Sequence, residues 1–253
     1  MNIDIEIIKK IAKEAGDKIL EIYDKDFSIE YKNDASPLTE ADLASNDVII
    51  KGLSENYSDI PVLSEESKNI SYEDRKDWNP FWLIDPLDGT KEFIKKNGEF
   101  TVNIALIENG TPTIGAVYVP VKDTMYYSDG EKSFKQVGTE EPVQIKLKEK
   151  GSKCVVVASR SHLNEETEKF IEDLKKDYDE IDMISSGSSI KLCLVAEGSA
   201  DVYPRIALTS EWDTGAAHAV VKTAGGRVIQ FGTNKELEYN KEDILNPFFV
   251  VCR

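Results

Sequence analysis

The apolar positions near the N-terminus repeat at the period of a helix. Every fourth residue from Ile3 to Tyr23 is apolar, which predicts an amphipathic helix with one face packed against another layer. A second helix is expected from Thr39 to about Leu53, where Thr39 and Asp42 have the spacing of a capping box, with Asp in place of the usual Glu. This part of the chain therefore predicts a helix pair that needs a surface to pack on.

The middle of the chain changes to the pattern of short strands. Apolar runs at 101–108 and 113–119 are joined through Asn109-Gly110, which is a strong signal for a hairpin. The sequence therefore predicts an antiparallel meander packed against the helix pair, which is an α+β arrangement. The further strands are expected at 124–128, 133–137 and 143–147.

The C-terminal part alternates short apolar runs with helical segments. This alternation predicts an α/β arrangement, in which helices cover a mostly parallel sheet. The change of pattern near 148–153 predicts a boundary between an α+β half, 1–150, and an α/β half, 151–253. The expected helices span 165–176, 189–196 and 213–223, and the expected strands span 155–157, 181–184, 201–203, 227–231 and 248–252.

The charge of the chain limits the kind of partner. The 253 residues include 31 Lys and Arg against 47 Asp and Glu, a formal charge of −16. Nucleic-acid polymers and anionic membranes require a basic face on the protein, so neither is expected as the main partner. A small phosphate-bearing substrate would need local help from metal ions and from a few well-placed Lys or Arg side chains.

Cysteine use and hydropathy both indicate a cytoplasmic protein. Cys154, Cys193 and Cys252 are widely spaced and lie in apolar runs, which is typical of buried thiols in a reducing compartment rather than of disulfides or a zinc site. No apolar run approaches the roughly 20 residues of a membrane span. No basic segment followed by an apolar one opens the sequence either. We therefore expect no transmembrane segment.

The stretch 82–90 carries the strongest chemical signal. An apolar strand is expected to deliver Asp85 at its end, where Pro86 lacks an N–H, stops the ladder and turns the chain towards Asp88. Hard cations such as Mg²⁺ prefer carboxylate and carbonyl oxygens of this kind. The Gly-Thr pair that follows would start a short helix whose N–H groups bind an anion. The alternative is an Asx-type turn, in which both carboxylates bond nearby backbone N–H groups.

Other acidic residues also stand at the ends of predicted elements. Glu65 and Glu66 follow a short strand upstream of Asp85, and a solvated loop would explain them as well as a metal site would. Asp213 precedes an Ala-rich helix, where it is well placed as an N-cap. Alternatively, its carboxylate faces a cation held by the other half of the chain. Sequence spacing leaves both interpretations open.

Polar and basic residues follow the strands of the C-terminal half. Ligands of such sheets bind beyond the carboxyl ends of the strands, where this chain has His162, Ser188, Lys191 and Arg205. His162 is equally compatible with plain surface exposure, whereas His218 lies inside a helix and is expected to pack there. No G-x-G-x-x-G follows a strand, which disfavours a dinucleotide-binding oxidoreductase.

Three stretches together resemble the signatures of the inositol monophosphatase superfamily, in the same order and at plausible separations. They are 63–66, 85–90 and 212–216. The resemblance covers essentially the whole chain and implies a layered α-β-α-β-α sandwich. Within the superfamily the chain is most similar to the CysQ-type 3'(2'),5'-bisphosphate nucleotidases, whereas inositol monophosphatases typically continue Asp-Gly-Thr with Thr-Asn-Phe. That similarity lies in the stretches 88–94, 97–103, 159–162, 194–198 and 203–205.

The resemblance implies a metal site made of oxygen ligands. Two or three Mg²⁺ ions would be bound, the first by Glu65 and Asp85 and the second by Asp85, Asp88 and Asp213. Glu66 neighbours the matching position and is a weaker candidate. The full implied ligand set is Glu65, Asp85, the Leu87 carbonyl, Asp88 and Asp213.

The same resemblance implies a catalytic set of Glu65, Thr90 and Asp42. Asp42 would orient Thr90, which helps to activate the attacking water. Asp42 would then have a catalytic role in addition to its place in the apparent capping box. The N–H groups of Gly89 and Thr90 would bind the phosphate, and the adenosine and second phosphate would lie against the C-terminal half. Substrate contacts are implied for Glu65, Leu87, Asp88, Gly89, Thr90, His162, Ser188, Lys191, Arg205 and Asp213.

The implied activity is Mg²⁺-dependent hydrolysis of the 3'-phosphate of adenosine 3',5'-bisphosphate to AMP and phosphate. The family's lithium sensitivity and its link to sulfate assimilation would come with it, and the partner would be a small nucleotide bisphosphate. An inositol monophosphatase or a broad sugar-phosphate phosphatase would share the same metal site. A non-catalytic phosphate-binding regulatory protein is a remoter alternative, because every expected metal ligand and Thr90 are present.

Overall fold

The computed structural model describes residues 3–25, 29–31, 37–67, 70–149, 151–158 and 164–253. Its helices are α1 (Ile5–Tyr23), α2 (Glu40–Asn56), α3 (Tyr72–Arg75), α4 (Thr90–Ile94), α5 (Glu165–Leu174), α6 (Ile190–Ala196) and α7 (Gly215–Thr223). The first seven strands are β1 (Ile29–Tyr31), β2 (Pro37–Thr39), β3 (Val62–Ser64), β4 (Phe81–Asp88), β5 (Thr101–Glu108), β6 (Thr111–Val119) and β7 (Thr124–Ser128). The remaining strands are β8 (Ser133–Val137), β9 (Val143–Ile145), β10 (Lys153–Ala158), β11 (Glu180–Ser185), β12 (Tyr203–Arg205), β13 (Arg227–Gln230) and β14 (Phe249–Cys252).

A seven-stranded sheet forms the centre of the molecule, in the order β3-β4-β5-β6-β7-β8-β9. Adjacent strands of this sheet run antiparallel, except β3 and β4, which run parallel. Helices α1 and α2 pack on one face and α7 on the other. Because both faces are covered, β4 alternates between the two cores, with Trp82 and Ile84 towards α1 and α2 and Leu83 towards α7. The predicted meander and helix pair are therefore confirmed.

The C-terminal strands form a second, mixed sheet. Strands β10 and β11 pair in parallel, and a single parallel bridge between Val156 and Val202 joins β10 to the segment that leads into β12. Strand β14 runs antiparallel to both β12 and β13. Among the described residues, β10, β11, β12 and β13 therefore run in one direction and β14 runs in the opposite direction. The expectation of a mostly parallel sheet holds for these four strands.

The helices and sheets stack as five layers. Helices α6 and α7 lie between the two sheets, where side chains such as Val195 and Val220 share a core with Val228 of the second sheet. Helix α5 covers the far face of that sheet through Phe170 and Leu174. The order α-β-α-β-α expected from the family resemblance is confirmed.

Two local expectations differ from the structure. Strand β4 continues past Pro86 to Asp88, because the ladder resumes at the Asp88–Thr101 pair after an irregular step. Pro86 therefore makes a bulge rather than an end. The strand expected at 201–203 lies at Tyr203–Arg205 instead, because Val202 makes a single bridge to Val156 whereas 203–205 pair continuously with β14.

The three cysteines form no disulfide among the described residues. Cys154 and Cys193 are buried and Cys252 is half-buried. Over the described part of the chain, none of the helices has the length and apolar character needed to span a membrane. The cytoplasmic location expected from the cysteine pattern stays a prediction.

Candidate active site

Three carboxylates from separate parts of the chain meet at one edge of the central sheet. One oxygen each of Glu65, Asp85 and Asp213 lies within 4.8 Å of the others. The parallel pairing of β3 with β4 sets Ser64 opposite Ile84, so the next residues on the two strands, Glu65 and Asp85, are neighbours. Asp213 comes from the loop before α7, the helix that packs on the same sheet.

Asp85 is the most buried carboxylate of this cluster. Its side chain is 1% exposed, and its Oδ1 accepts a hydrogen bond from the Leu87 N–H at 3.1 Å. Its Oδ2 is buried and has no hydrogen-bond donor among the described residues. Burial, together with the negative charges of Glu65, Asp88 and Asp213, raises the pKa of Asp85 well above its usual range. A buried acceptor without a donor is costly, so this oxygen is suited to a cation or a proton.

Asp213 is held in a similar electrostatic environment. Burial raises its pKa to about 8, and the charges of Asp88 and Glu65 add to the effect. Its Oδ2 accepts a hydrogen bond from the Ser210 N–H at 2.7 Å, which directs the carboxylate. Several carboxylates packed this closely repel one another unless protons or cations neutralise them. Carboxylate oxygens are hard ligands of the kind that Mg²⁺ prefers, so the residues present suit the expected metal.

Asp88 is turned towards a different partner. Its Oδ2 accepts hydrogen bonds from the Ser189 N–H at 2.5 Å and the Ser189 hydroxyl at 2.7 Å, and Thr101 Oγ1 lies 3.5 Å away. Asp88 is not part of the three-carboxylate cluster, in which Asp213 lies with Glu65 and Asp85. The sequence-based assignment of Asp85, Asp88 and Asp213 to one ion therefore stays a prediction.

Thr90 and Asp42 come together although they lie on different helices. Thr90 Oγ1 is 3.4 Å from Asp42 Oδ1 and 3.4 Å from the Leu87 carbonyl oxygen. Asp42 Oδ2 meanwhile accepts from the N–H (2.8 Å) and the hydroxyl (2.7 Å) of Thr39. The capping box and the contact with Thr90 thus use different oxygens of one carboxylate. Burial, followed by the charges of Glu66 and Glu65, raises the pKa of Asp42 to about 6.

Gly89 makes the turn between β4 and α4. Its φ of 92° is in the left-handed region, and a Cβ there would lie 3.2 Å from the Glu99 carbonyl oxygen and 3.3 Å from Ser188 Cβ. A side chain at this position would be strained and crowded. The backbone can therefore turn sharply beside the carboxylates, with Asp88 and Thr90 on either side.

The carboxylates line a cleft of about 530 Å³ that reaches from Glu65 to Leu245. A smaller cavity of about 110 Å³ adjoins it and is lined by Lys191, Ser188 and Tyr203. The two share a wall of side chains and backbone, so a ligand can occupy both. The shared residues are Asp88, Gly89, Glu92, Arg205, Thr209 and Asp213.

Two cationic side chains stand in this smaller cavity. Lys191 is 5% exposed, and its Nζ donates to the Ser188 carbonyl at 2.6 Å and lies 5.5 Å from the centre of the Tyr203 ring. Burial, together with the charge of Arg205, lowers the pKa of Lys191 to about 8 against the opposing effect of Asp88. Arg205 donates from Nη2 to the Leu208 carbonyl at 2.9 Å, while its buried Nε has no acceptor among the described residues. The pair is arranged to accept an anion.

Sequence reasoning missed Ser189 and Tyr203. The Ser189 hydroxyl lies 2.7 Å from both Asp88 Oδ2 and the Asp213 carbonyl oxygen, so it connects the acidic residues of the two halves. Its signal was the polar run 185–189 before α6. Tyr203 belongs to the stretch 203–205 that resembles the family, but it was not identified as a site residue.

The structure describes one of the two histidines, His218, but not His162. His162 lies outside the described residues, so its expected ligand contact stays a prediction. His218 is buried in α7, its Nδ1 is 2.9 Å from the Tyr239 hydroxyl, and burial lowers its pKa to about 3. It is a neutral core residue, as expected.

Comparisons with known proteins agree on one family. The model of the inositol monophosphatase family matches residues 4–248. The 3'(2'),5'-bisphosphate nucleotidase CysQ of Salmonella typhimurium is 46% identical over 98% of both chains, and that of Escherichia coli K12 is 44% identical over the same share of each. Among solved structures, CysQ from Bacteroides thetaiotaomicron superposes with a TM-score of 0.87 at 47% identity, covering 98% of this chain and 96% of that one.

More distant structures share the fold alone. The inositol monophosphatase of Thermotoga maritima superposes with a TM-score of 0.76 at 24% identity, over 98% of this chain and 91% of its own.

Proposed function

The chain belongs to the inositol monophosphatase family, and from that premise we propose that it is a metal-dependent 3'(2'),5'-bisphosphate nucleotidase. It removes the 3'-phosphate of adenosine 3',5'-bisphosphate and releases AMP and phosphate. The relatives named CysQ support this activity over their full length. The observation that carries the proposal is the Oδ2 of Asp85, which has no hydrogen-bond donor in the described part of the chain. It lies in a carboxylate cluster beside the cavity lined by Lys191 and Arg205.

The proposed cation ligands are the cluster residues together with two neighbouring oxygens. Two or three Mg²⁺ ions would be held by Glu65, Asp85, the Leu87 carbonyl, Asp88 and Asp213. When bound, Mg²⁺ neutralises phosphate charge, makes a water more acidic and stabilises the departing ribose oxygen. The carboxylates provide the negative charge that such ions require, and they would repel a phosphate ester in the absence of cations.

Thr90 and Asp42 are the proposed pair that orients the attacking water. Asp42 Oδ1 accepts the hydroxyl hydrogen of Thr90, which leaves a lone pair of Thr90 Oγ1 to accept a hydrogen bond from the water. Asp42 itself is fixed by the capping box. Glu65, on the other side of the cluster, is the carboxylate that we assign to take up the proton that the water loses. The N–H groups of Gly89 and Thr90 would contact the phosphate oxygens.

The second phosphate of the substrate fits the smaller cavity. Lys191 and Arg205 provide two positive charges in a largely buried space, next to the wall that they share with the carboxylates. A bisphosphate places one anionic group at the metal ligands and another at these cations. Inositol monophosphate has no second anionic group for this cavity, which is why we favour the nucleotide.

Substrate preference is the first test of this function. We expect Mg²⁺-dependent phosphate release from adenosine 3',5'-bisphosphate to exceed release from inositol 1-phosphate when both are assayed side by side at micromolar concentration. The physical reason is the additional contact of the second phosphate with two partly desolvated cations. A preference for inositol 1-phosphate would keep the metal site but contradict our assignment of the smaller cavity.

A Lys191→Met variant should affect only substrates that carry the second phosphate. Loss of a buried, hydrogen-bonded charge partner costs about 2 kcal/mol or more, so we expect KM for adenosine 3',5'-bisphosphate to rise by about 30-fold or more. KM for adenosine 3'-monophosphate should be nearly unchanged. Lys9→Met is the matched control, since Lys9 is also buried but pairs with Glu6 on α1. An equal rise in KM for both substrates would contradict the assignment of Lys191 to the second phosphate.

A further inference from the structure

The loop that carries Asp213 contains no helix or strand, and its regular pairing is a single antiparallel bridge between Ser210 and Leu245. Residues 206–214 connect β12 to α7, yet the Asp213 carboxylate has to stay close to two others that repel it. The Ser210 N–H orients Asp213, but Ser210 belongs to the same loop. Something outside the loop must therefore hold it against the electrostatic repulsion of Glu65 and Asp85.

Several contacts from outside the loop reach it, among them Ser189 to the Asp213 carbonyl (2.7 Å) and Asn246 Nδ2 to the Ser210 carbonyl (2.7 Å). The most deeply buried charged group among them is a carboxylate two residues before Asp213. Glu211 is 0% exposed. Its Oε2 accepts a hydrogen bond from the Asn240 N–H at 2.7 Å, and its Oε1 accepts from the N–H of Lys241 at 3.0 Å and from Lys241 Nζ at 2.5 Å. The backbone N–H of Glu211 donates to the Ile244 carbonyl at 2.9 Å. The Asp213 loop is thus tied to the segment 240–244 by side chain and backbone.

That segment is in turn anchored to the N-terminal half through Arg75. Arg75 is 3% exposed and donates to Asn240 Oδ1 at 2.8 Å and to the Glu242 carbonyl at 3.2 Å. Asn240 Nδ2 donates back to the Arg75 carbonyl at 2.9 Å. Arg75 ends α3, which lies on the connection between β3 and β4. These are the strands that deliver Glu65 and Asp85.

We propose that Glu211, with Lys241, Asn240 and Arg75, is a clamp whose role is to position Asp213 opposite Glu65 and Asp85 for metal binding. Glu211 is a positioning residue, since it is not one of the three cluster carboxylates and does not line either cavity described above. The inference rests on the metal site of the proposed function. The clamp makes the cluster ready for cations by holding Asp213 in place when its carboxyl loses its proton and the ionised carboxylates repel one another.

The test is metal binding measured without substrate. Glu211→Gln places an amide group against three N–H donors and leaves Lys241 without its carboxylate. Mn²⁺ binding followed by electron paramagnetic resonance should weaken by about 10- to 100-fold, as is typical when a group that orients a ligand is lost. In Mg²⁺-dependent turnover, the apparent Mg²⁺ constant should rise while kcat at saturating Mg²⁺ falls by only a few-fold.

Asp201 provides a matched control for general destabilisation. It is buried, it accepts a backbone N–H from Val155, and it pairs with Arg253 at 2.7 Å. Asp201→Asn should lower the thermal midpoint much as Glu211→Gln does but leave Mn²⁺ affinity within about two-fold of the wild type. If Glu211→Gln does not fold, Lys241→Met can replace it, with Arg253→Met as its control, and a loss of several-fold in Mn²⁺ affinity is expected for Lys241→Met alone.

Unchanged Mn²⁺ affinity in the folded clamp variants would overturn the proposal, because a purely structural role would lower only the thermal midpoint. An equal loss of affinity in the Asp201 or Arg253 controls would overturn it as well. A wild-type protein that binds Mn²⁺ but does not hydrolyse adenosine 3',5'-bisphosphate would contradict the proposed function, and the binding comparison would still decide the role of Glu211.

Discussion

Asp85→Asn should reduce Mg²⁺-dependent phosphate release by at least about a thousand-fold, which corresponds to roughly 4 kcal/mol of lost transition-state stabilisation. Asp85 is buried at the centre of the cluster, and its Oδ2 has no other donor among the described residues. The amide of asparagine is uncharged and directs either an oxygen or an NH₂ group at the cation, so the site loses both charge and ligand geometry. The measurement is phosphate release at saturating Mg²⁺.

A second measurement separates loss of function from loss of fold. In metal-free buffer, Asp85→Asn should melt at a higher temperature than the wild type, because it removes one of the carboxylates that repel one another. Asp201→Asn, which removes an ion-paired carboxylate, should melt at a lower temperature and keep its activity. Normal turnover by Asp85→Asn would contradict its assignment as an essential metal ligand, whereas a folded wild type that binds phosphate without any Mg²⁺-dependent release would support a phosphate-binding regulatory protein.

The metal-free protein should lose stability as the pH rises from about 6.5 to 8. The folded-state pKa of Asp213 is raised to about 8 from a usual value of 3.8, so between these values the folded protein holds a proton that the unfolded chain releases. Its contribution to stability is complete below the unfolded pKa and is lost as the pH passes through the folded pKa. The slope is about 1.4 kcal/mol per pH unit from one group, or about 2 kcal/mol across this window.

Other groups define the limits of that window. Burial lowers the pKa of His218 to about 3, so below its usual value of about 6.5 this residue makes stability rise with pH. Burial lowers the pKa of Lys191 to about 8, which again makes stability rise with pH above that value. Between the two, Asp213 and its neighbour Asp85 dominate the pH dependence.

Thermal melts with and without Mg²⁺ test this linkage. A change of about 2 kcal/mol in a chain of this size corresponds to a shift of about 5 °C. The metal-free wild type should show that fall between pH 6.5 and 8, saturating Mg²⁺ should remove it, and Asp213→Asn should reduce it in metal-free buffer. A metal-free melting temperature that stays constant or rises across this window would contradict a protonated cluster.

Local features of the sequence determined much of the secondary structure and several site residues. The i, i+4 stripe of α1 and the Asn-Gly turn between β5 and β6 gave correct elements, because periodicity and turn chemistry depend on near neighbours. The carboxylates after β3 and within β4 were also identifiable, since a strand delivers its next residue to the sheet edge. The Thr39–Asp42 spacing correctly indicated a capping box.

Tertiary structure decided which of these residues meet. Asp213 joins Glu65 and Asp85 only because α7 packs on the central sheet, and sequence spacing could not choose between a cap and a cation ligand. Nor could it show that Asp42 serves Thr39 with one oxygen and Thr90 with the other. The links made by Ser189 and Glu211 join segments far apart in the chain. Such contacts depend on the packing of whole layers, and a local pattern contains no information about which distant segment will lie opposite.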